Sequence, residues 1–108
     1  MMIEEISATT LKTKFDAGET FQLIDVRQPN ENSFASIEGG KLIPLGEIVS
    51  RMDELDPNVE AVIYCKMGGR SAQAIQVLQQ SGYTGKLLNL RGGIIGWSTD
   101  IDPTIPKY

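Results

Sequence analysis

The 108 residues carry 41% hydrophobic and 22% charged side chains, an ordinary globular composition, and this length suits one compact domain over residues 1–108. With 10 basic against 14 acidic residues the formal charge is −4, which excludes the broad basic surface of a nucleic-acid-binding protein. A single cysteine excludes an internal disulfide, and the absence of histidine excludes every mechanism that needs an imidazole. We therefore expect no metal and no cofactor.

No apolar run approaches the roughly 20 residues that a membrane-spanning helix needs. The N-terminal segment over residues 1–7 lacks the basic and apolar regions of a signal peptide. We expect a protein of the reducing cytoplasm that contacts neither membrane nor nucleic acid. A monomer is the default expectation for its oligomeric state.

In the first half of the chain, short apolar runs alternate with amphipathic stretches, a pattern typical of strands alternating with helices. The predictions are a strand over 3–6, a helix over 10–17 capped by Ser7 and Thr9 and ended by Gly18, a strand over 21–26, a helix that starts at Pro29 with Asn30, Glu31 and Asn32 exposed, a turn at Gly39 and Gly40, and a strand over 42–43 closed by Pro44.

The second half continues the alternation and contains the clearest elements. The predictions are a helix over 47–55, a turn over 56–58, a strand over 61–64, a helix over 71–81 ended by Gly82, a strand over 87–90, a short helix after Gly92 and Gly93 that buries Trp97 in the core, and an extended surface tail over 100–108.

This alternation predicts an α/β fold with a mainly parallel sheet of about five strands and helices on both faces. Ligands of such sheets bind beyond the carboxyl ends of the strands. Cys65 occupies that position, because it directly follows the strongest predicted strand, Ala61 to Tyr64.

Residues 61–99 contain no Asp or Glu, although the whole chain is acidic. The cations of this stretch are Lys66, Arg70, Lys86 and Arg91. The stretch therefore carries +4, and the rest of the chain carries −8. Two interpretations stay open: a solvated face that arose by chance, or the surroundings of an anion site in which a positive field attracts the ligand.

The segment after Tyr64 combines a cysteine, a glycine pair and the start of a helix. Gly68 and Gly69 permit backbone conformations that point several N–H groups into one concavity, where an anion is stabilised. A helix N-terminus and the cations Lys66 and Arg70 would also lower the pKa of a thiol, from about 8.5 to ~3.5–7.5. The alternative is that Cys65 is a small buried hydrophobe.

Four motifs in this order resemble a rhodanese homology domain over nearly the whole chain. They are Asp25-Val26-Arg27, Ile43-Pro44, the segment from Cys65 to Ser71, and the segment from Leu90 to Trp97. The resemblance implies a small rhodanese-like α/β domain with a persulfide on Cys65. The residues that follow Trp97 resemble the rhodanese domains fused to the C-terminus of adenylyltransferases that activate sulfur-carrier proteins.

The resemblance also implies a sulfurtransferase mechanism and a set of site residues. Sulfur would pass from thiosulfate, a small anionic donor, or from a protein persulfide through Cys65 to a thiophilic acceptor such as a sulfur-carrier protein. The cradle of the persulfide would be the loop Lys66, Met67, Gly68, Gly69 and Arg70, with Asp25, Arg27 and Ser71 in support. We expect Asp25 and Arg27 to act mainly in the structure, with an Arg27–Glu31 pair one helical turn apart.

Two alternatives to sulfur transfer remain. Cysteine-based phosphatases and arsenate reductases resemble this loop but separate cysteine and arginine by five residues. Here only residues 66–69 lie between Cys65 and Arg70, and the smaller loop favours a single sulfur atom over a tetrahedral oxyanion. The other alternative is a binding or regulatory module in which Cys65 is incidental.

Overall fold

The computed structural model describes residues 3–108, so Met1 and Met2 of the N-terminal segment lie outside the described residues. Its strands are β1 Glu5–Ile6, β2 Gln22–Asp25, β3 Lys41–Leu42, β4 Ala61–Tyr64 and β5 Leu87–Leu90. Its α-helices are α1 Ala8–Asp16, α2 Pro29–Phe34, α3 Gly69–Gln80 and α4 Gly93–Asp100. Two short 3-10 helices, Leu45–Glu47 and Met52–Glu54, lie between β3 and β4.

The five strands form one sheet in the order β1-β5-β4-β2-β3, and every neighbouring pair is parallel. The α/β fold with a parallel five-stranded sheet is therefore confirmed. The central strand β4 pairs with β2 so that Tyr64 stands opposite Asp25, and both strands end at the same edge. Residues that follow these two strands consequently meet at that edge, and Cys65 is one of them.

Alternate residues of β4 face two separate apolar clusters. Val62 and Tyr64 pack in the cluster that contains buried side chains of α1 and α4, including Trp97, which confirms the predicted core position of this tryptophan. Ile63 and Cys65 pack in the second cluster, beneath buried side chains of α3. Because side chains alternate along a strand, the thiol of Cys65 points toward the helix that follows it.

The helix predicted over 47–55 is wrong, since this segment forms the two 3-10 helices with turn residues between them. Ile48 and Val49 are β-branched and lose rotamer freedom in a helix. The carbonyl oxygen of Glu47 accepts both the Arg51 N–H and the Ser50 hydroxyl at 3.0 Å, but the bonds on either side of it are the shorter i→i−3 type, such as Ile48 N–H to the Leu45 oxygen. Ile48 is nevertheless fully buried, and the segment covers one face of the sheet.

The predicted extended tail is also corrected. After α4 the chain turns over Asp102–Ile105, and the Ser98 hydroxyl donates to the carbonyl oxygen of Ile105 at 2.6 Å. Ile105 packs against the apolar cluster of α1 and α4. The chain then returns to the sheet edge, where Tyr108 contacts residues around Cys65. Among the described residues, no helix is long and apolar enough to cross a membrane.

Candidate active site

The thiol of Cys65 is enclosed by the loop that connects β4 to α3. The side chain is 1% exposed, and its sulfur accepts the backbone N–H of Gly68 at 3.1 Å. Gly68 has a φ of +113°, a conformation that disfavours any residue with a Cβ, and α3 begins directly after it. The predicted combination of a glycine turn and a helix N-terminus around Cys65 is present.

The N-terminus of α4 binds the carbonyl side of the same loop. The N–H groups of Ile94 and Ile95 donate to the carbonyl oxygens of Cys65 and Lys66 at 3.0 and 3.2 Å. A Cβ on Gly93 would lie 2.3 Å from the Lys66 oxygen, so only glycine permits this approach. Since α4 takes these carbonyl groups, the loop N–H groups are free to turn toward sulfur.

The inner wall, as we call it, consists of two neutral residues that contact the sulfur atom, Gly68 and Ser71, and of Asn89, which contacts both of them. The Ser71 Oγ lies 3.3 Å from the Cys65 Sγ and donates to the Asn89 Oδ1 at 2.5 Å. The Asn89 Nδ2 in turn donates to the carbonyl oxygen of Gly68 at 3.2 Å. From the neighbouring strand β5, Asn89 thus joins Gly68 in the loop to Ser71 in the first turn of α3, a role that the sequence did not predict.

The inner wall determines the acidity of the thiol. Burial alone would raise the pKa of Cys65, but hydrogen bonds from the Ser71 hydroxyl and the loop N–H groups outweigh it and hold the pKa below its usual value. This activation involves no histidine. A lowered thiol pKa is typical of reactive cysteines and disfavours the interpretation of Cys65 as an inert buried residue.

A second set of side chains, which we call the outer wall, lies on the solvent side of the loop: Glu31, Lys66, Arg70 and Tyr108. Arg70 donates to both carboxylate oxygens of Glu31, at 2.6 and 2.9 Å. The Arg70 guanidinium, against a smaller opposing effect of burial, holds the pKa of Glu31 at about 2. Glu31 was expected to be exposed and paired with Arg27, and that expectation is wrong because α2 turns its carboxylate toward the loop.

Tyr108 completes the outer wall from the segment after α4. Its hydroxyl accepts from the Arg27 Nη1 at 2.9 Å and donates to the Glu31 Oε2 at 2.8 Å. The Lys66 ammonium lies 4.5 Å from the centroid of the Tyr108 ring, within the range of a cation–π contact. The tail therefore holds Lys66 beside the loop.

Asp25 and Arg27 form a fully buried ion pair at the end of β2. Arg27 donates to both carboxylate oxygens of Asp25, at 2.9 and 2.7 Å, and to the carbonyl oxygen of Ala35 at 2.6 Å. Asn32, expected on the exposed side of α2, is half-buried and donates to Asp25 at 3.0 Å. Within the described chain none of these hydrogen bonds reaches Cys65, so the two residues brace α2 against the sheet and hold Glu31 in place.

The positive charge of residues 61–99 is largely neutralised by acidic residues from the rest of the chain. The pairs are Arg70 with Glu31 at 2.6 Å, Lys86 with Glu60 at 3.7 Å, and Arg91 with Glu5 at 3.3 Å. Of the four cations, Lys66 alone has no carboxylate within 4.0 Å among residues 3–108. Of the two interpretations left open for this stretch, the positive field of an anion site therefore rests on one ammonium group, that of Lys66, next to the exposed Met67.

Fold and site together define an α/β protein with an activated buried cysteine in a six-residue loop at the carboxyl edge of a parallel sheet. A family profile described as "Rhodanese-like domain" matches residues 7–100. The chain belongs to the rhodanese-like domain family.

Individual relatives agree with this assignment. A protein named "Sulfurtransferase" from Allochromatium vinosum is 40% identical over 97 residues, which cover 90% of each chain. The "Probable adenylyltransferase/sulfurtransferase MoeZ" of Mycobacterium tuberculosis is 35% identical over 95% of this chain, which spans only 26% of that protein. The crystal structure of a thiosulfate sulfurtransferase from Pseudomonas aeruginosa is similar with a TM-score of 0.83 and 30% identity, over 90% of this chain and 19% of that one. These names support sulfur transfer as the general function, and the resemblance to domains of adenylyltransferases is confirmed.

Proposed function

We propose that the protein is a sulfurtransferase that carries sulfane sulfur as a persulfide on Cys65. The observation that carries the proposal is the activated thiol at the bottom of an amide-lined loop, with an inner wall but no histidine around it. Such a site suits a reaction in which sulfur itself is the nucleophile and the leaving group. A thiol with a lowered pKa also favours this chemistry over a docking module in which Cys65 is incidental.

In the loading step the Cys65 thiolate attacks the outer sulfur of a donor such as thiosulfate. A bond forms between the Cys65 sulfur and the outer sulfur, and the donor's own S–S bond breaks. The electron pair of that bond leaves with sulfite, so thiolate and thiosulfate become persulfide anion and sulfite without any external oxidant. Donors with a negative charge are attracted by Lys66, the cation of the outer wall that no carboxylate neutralises among the described residues.

The loop residues from Lys66 to Arg70 would hold the charged outer sulfur. Backbone N–H groups of a loop stabilise an anion without a proton transfer. Arg70, which is committed to Glu31, fixes the end of the loop, whereas Met67 is 67% exposed and lies at the rim where a partner would approach. Ser71 supports the loop at the sulfur itself, whereas Asp25 and Arg27 support it indirectly, by bracing α2, whose Glu31 binds Arg70.

In the discharge step an acceptor attacks the outer sulfur, and the Cys65 thiolate leaves. The chain has one cysteine, so no thiol of its own can resolve the persulfide, and the acceptor is another molecule. A sulfur-carrier protein is a suitable acceptor, since relatives include the adenylyltransferase/sulfurtransferase MoeZ and a protein named "Putative sulfur carrier protein YrkF". A reducing compartment such as the cytoplasm suits a protein that depends on a free thiol.

The test is mass spectrometry of the intact protein after exposure to thiosulfate and removal of the excess. We expect a gain of one sulfur atom, located on Cys65, that disappears on addition of cyanide with formation of thiocyanate. Cys65→Ser is the control and should gain no sulfur and form no thiocyanate. Unchanged activity in Cys65→Ser, or hydrolysis of an aryl phosphate in place of sulfur transfer, would contradict the proposal.

A further inference from the structure

The hydroxyl group of Ser71 lies between two acceptors but carries only one hydrogen. The Asn89 Oδ1 is 2.5 Å from the Ser71 Oγ, and the Cys65 Sγ is 3.3 Å from it on the other side. Both separations are hydrogen-bond distances, yet the hydroxyl can donate to only one partner at a time. The state of Cys65 therefore decides which acceptor receives the bond.

The amide of Asn89 has a fixed orientation that presents oxygen, not nitrogen, to Ser71. Its Nδ2 faces the carbonyl oxygen of Gly68 at 3.2 Å and the Glu5 Oε2 at 3.5 Å. The reversed amide would place its oxygen against these two oxygens and lose both interactions. Because Asn89 is only 3% exposed, water does not replace its partners.

A free thiolate and a persulfide differ in their demand for the Ser71 hydrogen. On the free thiolate the charge lies on the Cys65 sulfur, which is then a strong acceptor. Once that sulfur is bonded to a second one, the charge lies on the outer atom, and the inner sulfur is a weak acceptor. The hydroxyl then gains more from the buried amide oxygen of Asn89.

We propose that Asn89 is a positioning residue that takes the Ser71 hydroxyl when Cys65 carries sulfur and gives it up when Cys65 is a free thiolate. This inference rests on the proposed sulfur transfer. The hydrogen stays bonded to the Ser71 oxygen throughout and only changes direction, so no proton is lost or gained. Asn89 thereby favours the loaded state, because formation of the free thiolate leaves its oxygen without a donor.

The consequence for the free protein is competition between Asn89 and the thiolate for one hydroxyl group. Removal of the amide oxygen should release Ser71 to the thiolate and lower the pKa of Cys65. Asn89→Leu is nearly isosteric and lacks the acceptor. We expect the pKa of Cys65, measured from the pH dependence of iodoacetamide alkylation, to fall by about half to one pH unit. Cyanide should discharge the loaded variant faster by the corresponding factor of roughly three to ten, since the leaving thiolate is better stabilised.

A double-mutant cycle separates this role from simple support of the loop. In a Ser71→Ala background the same Asn89→Leu change has no hydroxyl to release, so it should leave the pKa of Cys65 unchanged or raise it through the lost bond to Gly68. A fall in the pKa of Cys65 that occurs with Ser71 present and is absent in the Ser71→Ala background is the signature of the proposal. An equal shift in both backgrounds, or a rise in the Ser71 background, would overturn it.

Further variants keep the result interpretable. Asn89→Val also lacks the acceptor and suits a strand, so it replaces Asn89→Leu if that variant does not fold. Glu5→Gln is the matched control for charge: it removes the carboxylate beside Asn89, which also pairs with Arg91, but keeps an acceptor for the amide. Glu5→Gln should shift the pKa of Cys65 equally in the wild-type and Ser71→Ala backgrounds. Different shifts in the two backgrounds would assign the coupling to charge and overturn the role of Asn89.

The alkylation readout does not require sulfur transfer. If thiosulfate leaves no sulfur on Cys65, the proposed function fails while the coupling between Ser71 and Asn89 is still measured. If Cys65 is loaded normally but the two pKa shifts are the same, the role of Asn89 fails and the sulfurtransferase stands.

Discussion

The inner and outer walls of the loop use different physical means on the same cysteine. The inner wall is neutral and buried: the Gly68 N–H donates to the sulfur, the Ser71 hydroxyl oxygen lies 3.3 Å from it, and Asn89 contacts both residues. The outer wall is charged and partly exposed, and most of its charge is balanced within the wall, as in the Arg70–Glu31 pair. In the proposed function the inner wall sets the reactivity of the thiol, while the outer wall attracts the sulfur donor.

This division differs from the expectation that Lys66 and Arg70 activate Cys65. Hydrogen bonds from fixed dipoles at contact distance are strong in a buried site because no water competes with them. The field of a cation that is already paired with a carboxylate is largely cancelled at a third site. Neutral groups consequently lower the pKa of Cys65, although the sequence around it contains two cations.

The largest effect should come from Gly93→Ala, which breaks the backbone on which both walls depend. A Cβ at this position would collide with the carbonyl group of Lys66, and φ is +57°, so strain and overpacking add. We expect a loss of about 3 kcal/mol or more in the free energy of unfolding. Thermal or urea unfolding measures it, together with the rate of Cys65 alkylation.

Gly46→Ala is the matched control, because no atom lies within 4 Å of a Cβ at Gly46 and its φ is not positive. It should unfold within about 0.5 kcal/mol of the wild type, the usual range for surface substitutions. A Gly93→Ala protein of normal stability would show that α4 does not constrain the loop.

The inner wall is tested next by Ser71→Ala. Loss of the hydroxyl should raise the pKa of Cys65 by about one pH unit, so that alkylation and sulfur transfer near neutral pH fall about tenfold. Since the thiolate is regained as pH rises, the deficit should close above the new pKa. Rates measured between pH 5 and pH 10 check this, with the buried Ser98→Ala as a control that leaves the profile in place. A deficit that is equal at every pH would contradict the assignment.

The outer wall contributes to stability through the ionised Glu31–Arg70 pair. Because the folded-state pKa of Glu31, about 2, lies below its unfolded value, this contribution is present above pH 4.5 and is lost as pH falls toward 2. Glu31→Gln should therefore cost about 1 kcal/mol at pH 7, after allowance for solvent screening, and progressively less below pH 4.5. Unfolding of both proteins at several pH values measures the difference, and a cost that does not shrink in acid would refute the ionic origin.

The smallest effect should come from Lys66→Met, which removes the cation that has no carboxylate partner among residues 3–108 but keeps the length of the side chain. We expect kcat/KM with thiosulfate to fall about two- to fivefold at low salt, and the difference to disappear at high ionic strength. Alkylation by the neutral iodoacetamide should not change, since the inner wall is intact. Lys86→Met is the matched control, because Lys86 belongs to the same acid-free stretch but precedes β5 at the opposite edge of the sheet. An equal loss in both variants would indicate a general effect of net charge.

The parts of this site that the sequence predicts are those that depend on neighbours in the chain. Cys65 follows an apolar strand, Gly68 lies in the loop after it, and a helix begins directly after Gly68. The sequence of this one segment therefore predicts the position of the thiol. The helix predicted over 47–55 failed because the β-branched Ile48 and Val49 disfavour a regular helix near its start.

The contacts of the site that the sequence does not predict depend on the order of the strands in the sheet. Asn89 meets Ser71 only because β5 lies beside β4, and Glu31 meets Arg70 across 39 positions. The sequence shows that Asn89 lies within an apolar strand but does not show which residue it will bind. A polar residue in a buried strand next to the strand that precedes Cys65 nevertheless indicates a contact near the site, since a buried polar group needs a hydrogen-bond partner.

The hydrogen bonds between α4 and the loop also determine when, during synthesis of the chain, the pKa of Cys65 is lowered. Cys65 leaves the ribosome before Asn89, Ile94 and Ile95, the residues that orient its loop, so for that interval its thiol has the acidity of an ordinary cysteine, with a pKa of about 8.5. The pKa of Cys65 falls only after the last third of the chain has folded. At that point β5 joins the sheet, and N–H groups of α4 donate to the carbonyl groups of Cys65 and Lys66. At neutral pH the thiol of an unfinished chain consequently has a smaller thiolate fraction than the same thiol in the folded protein.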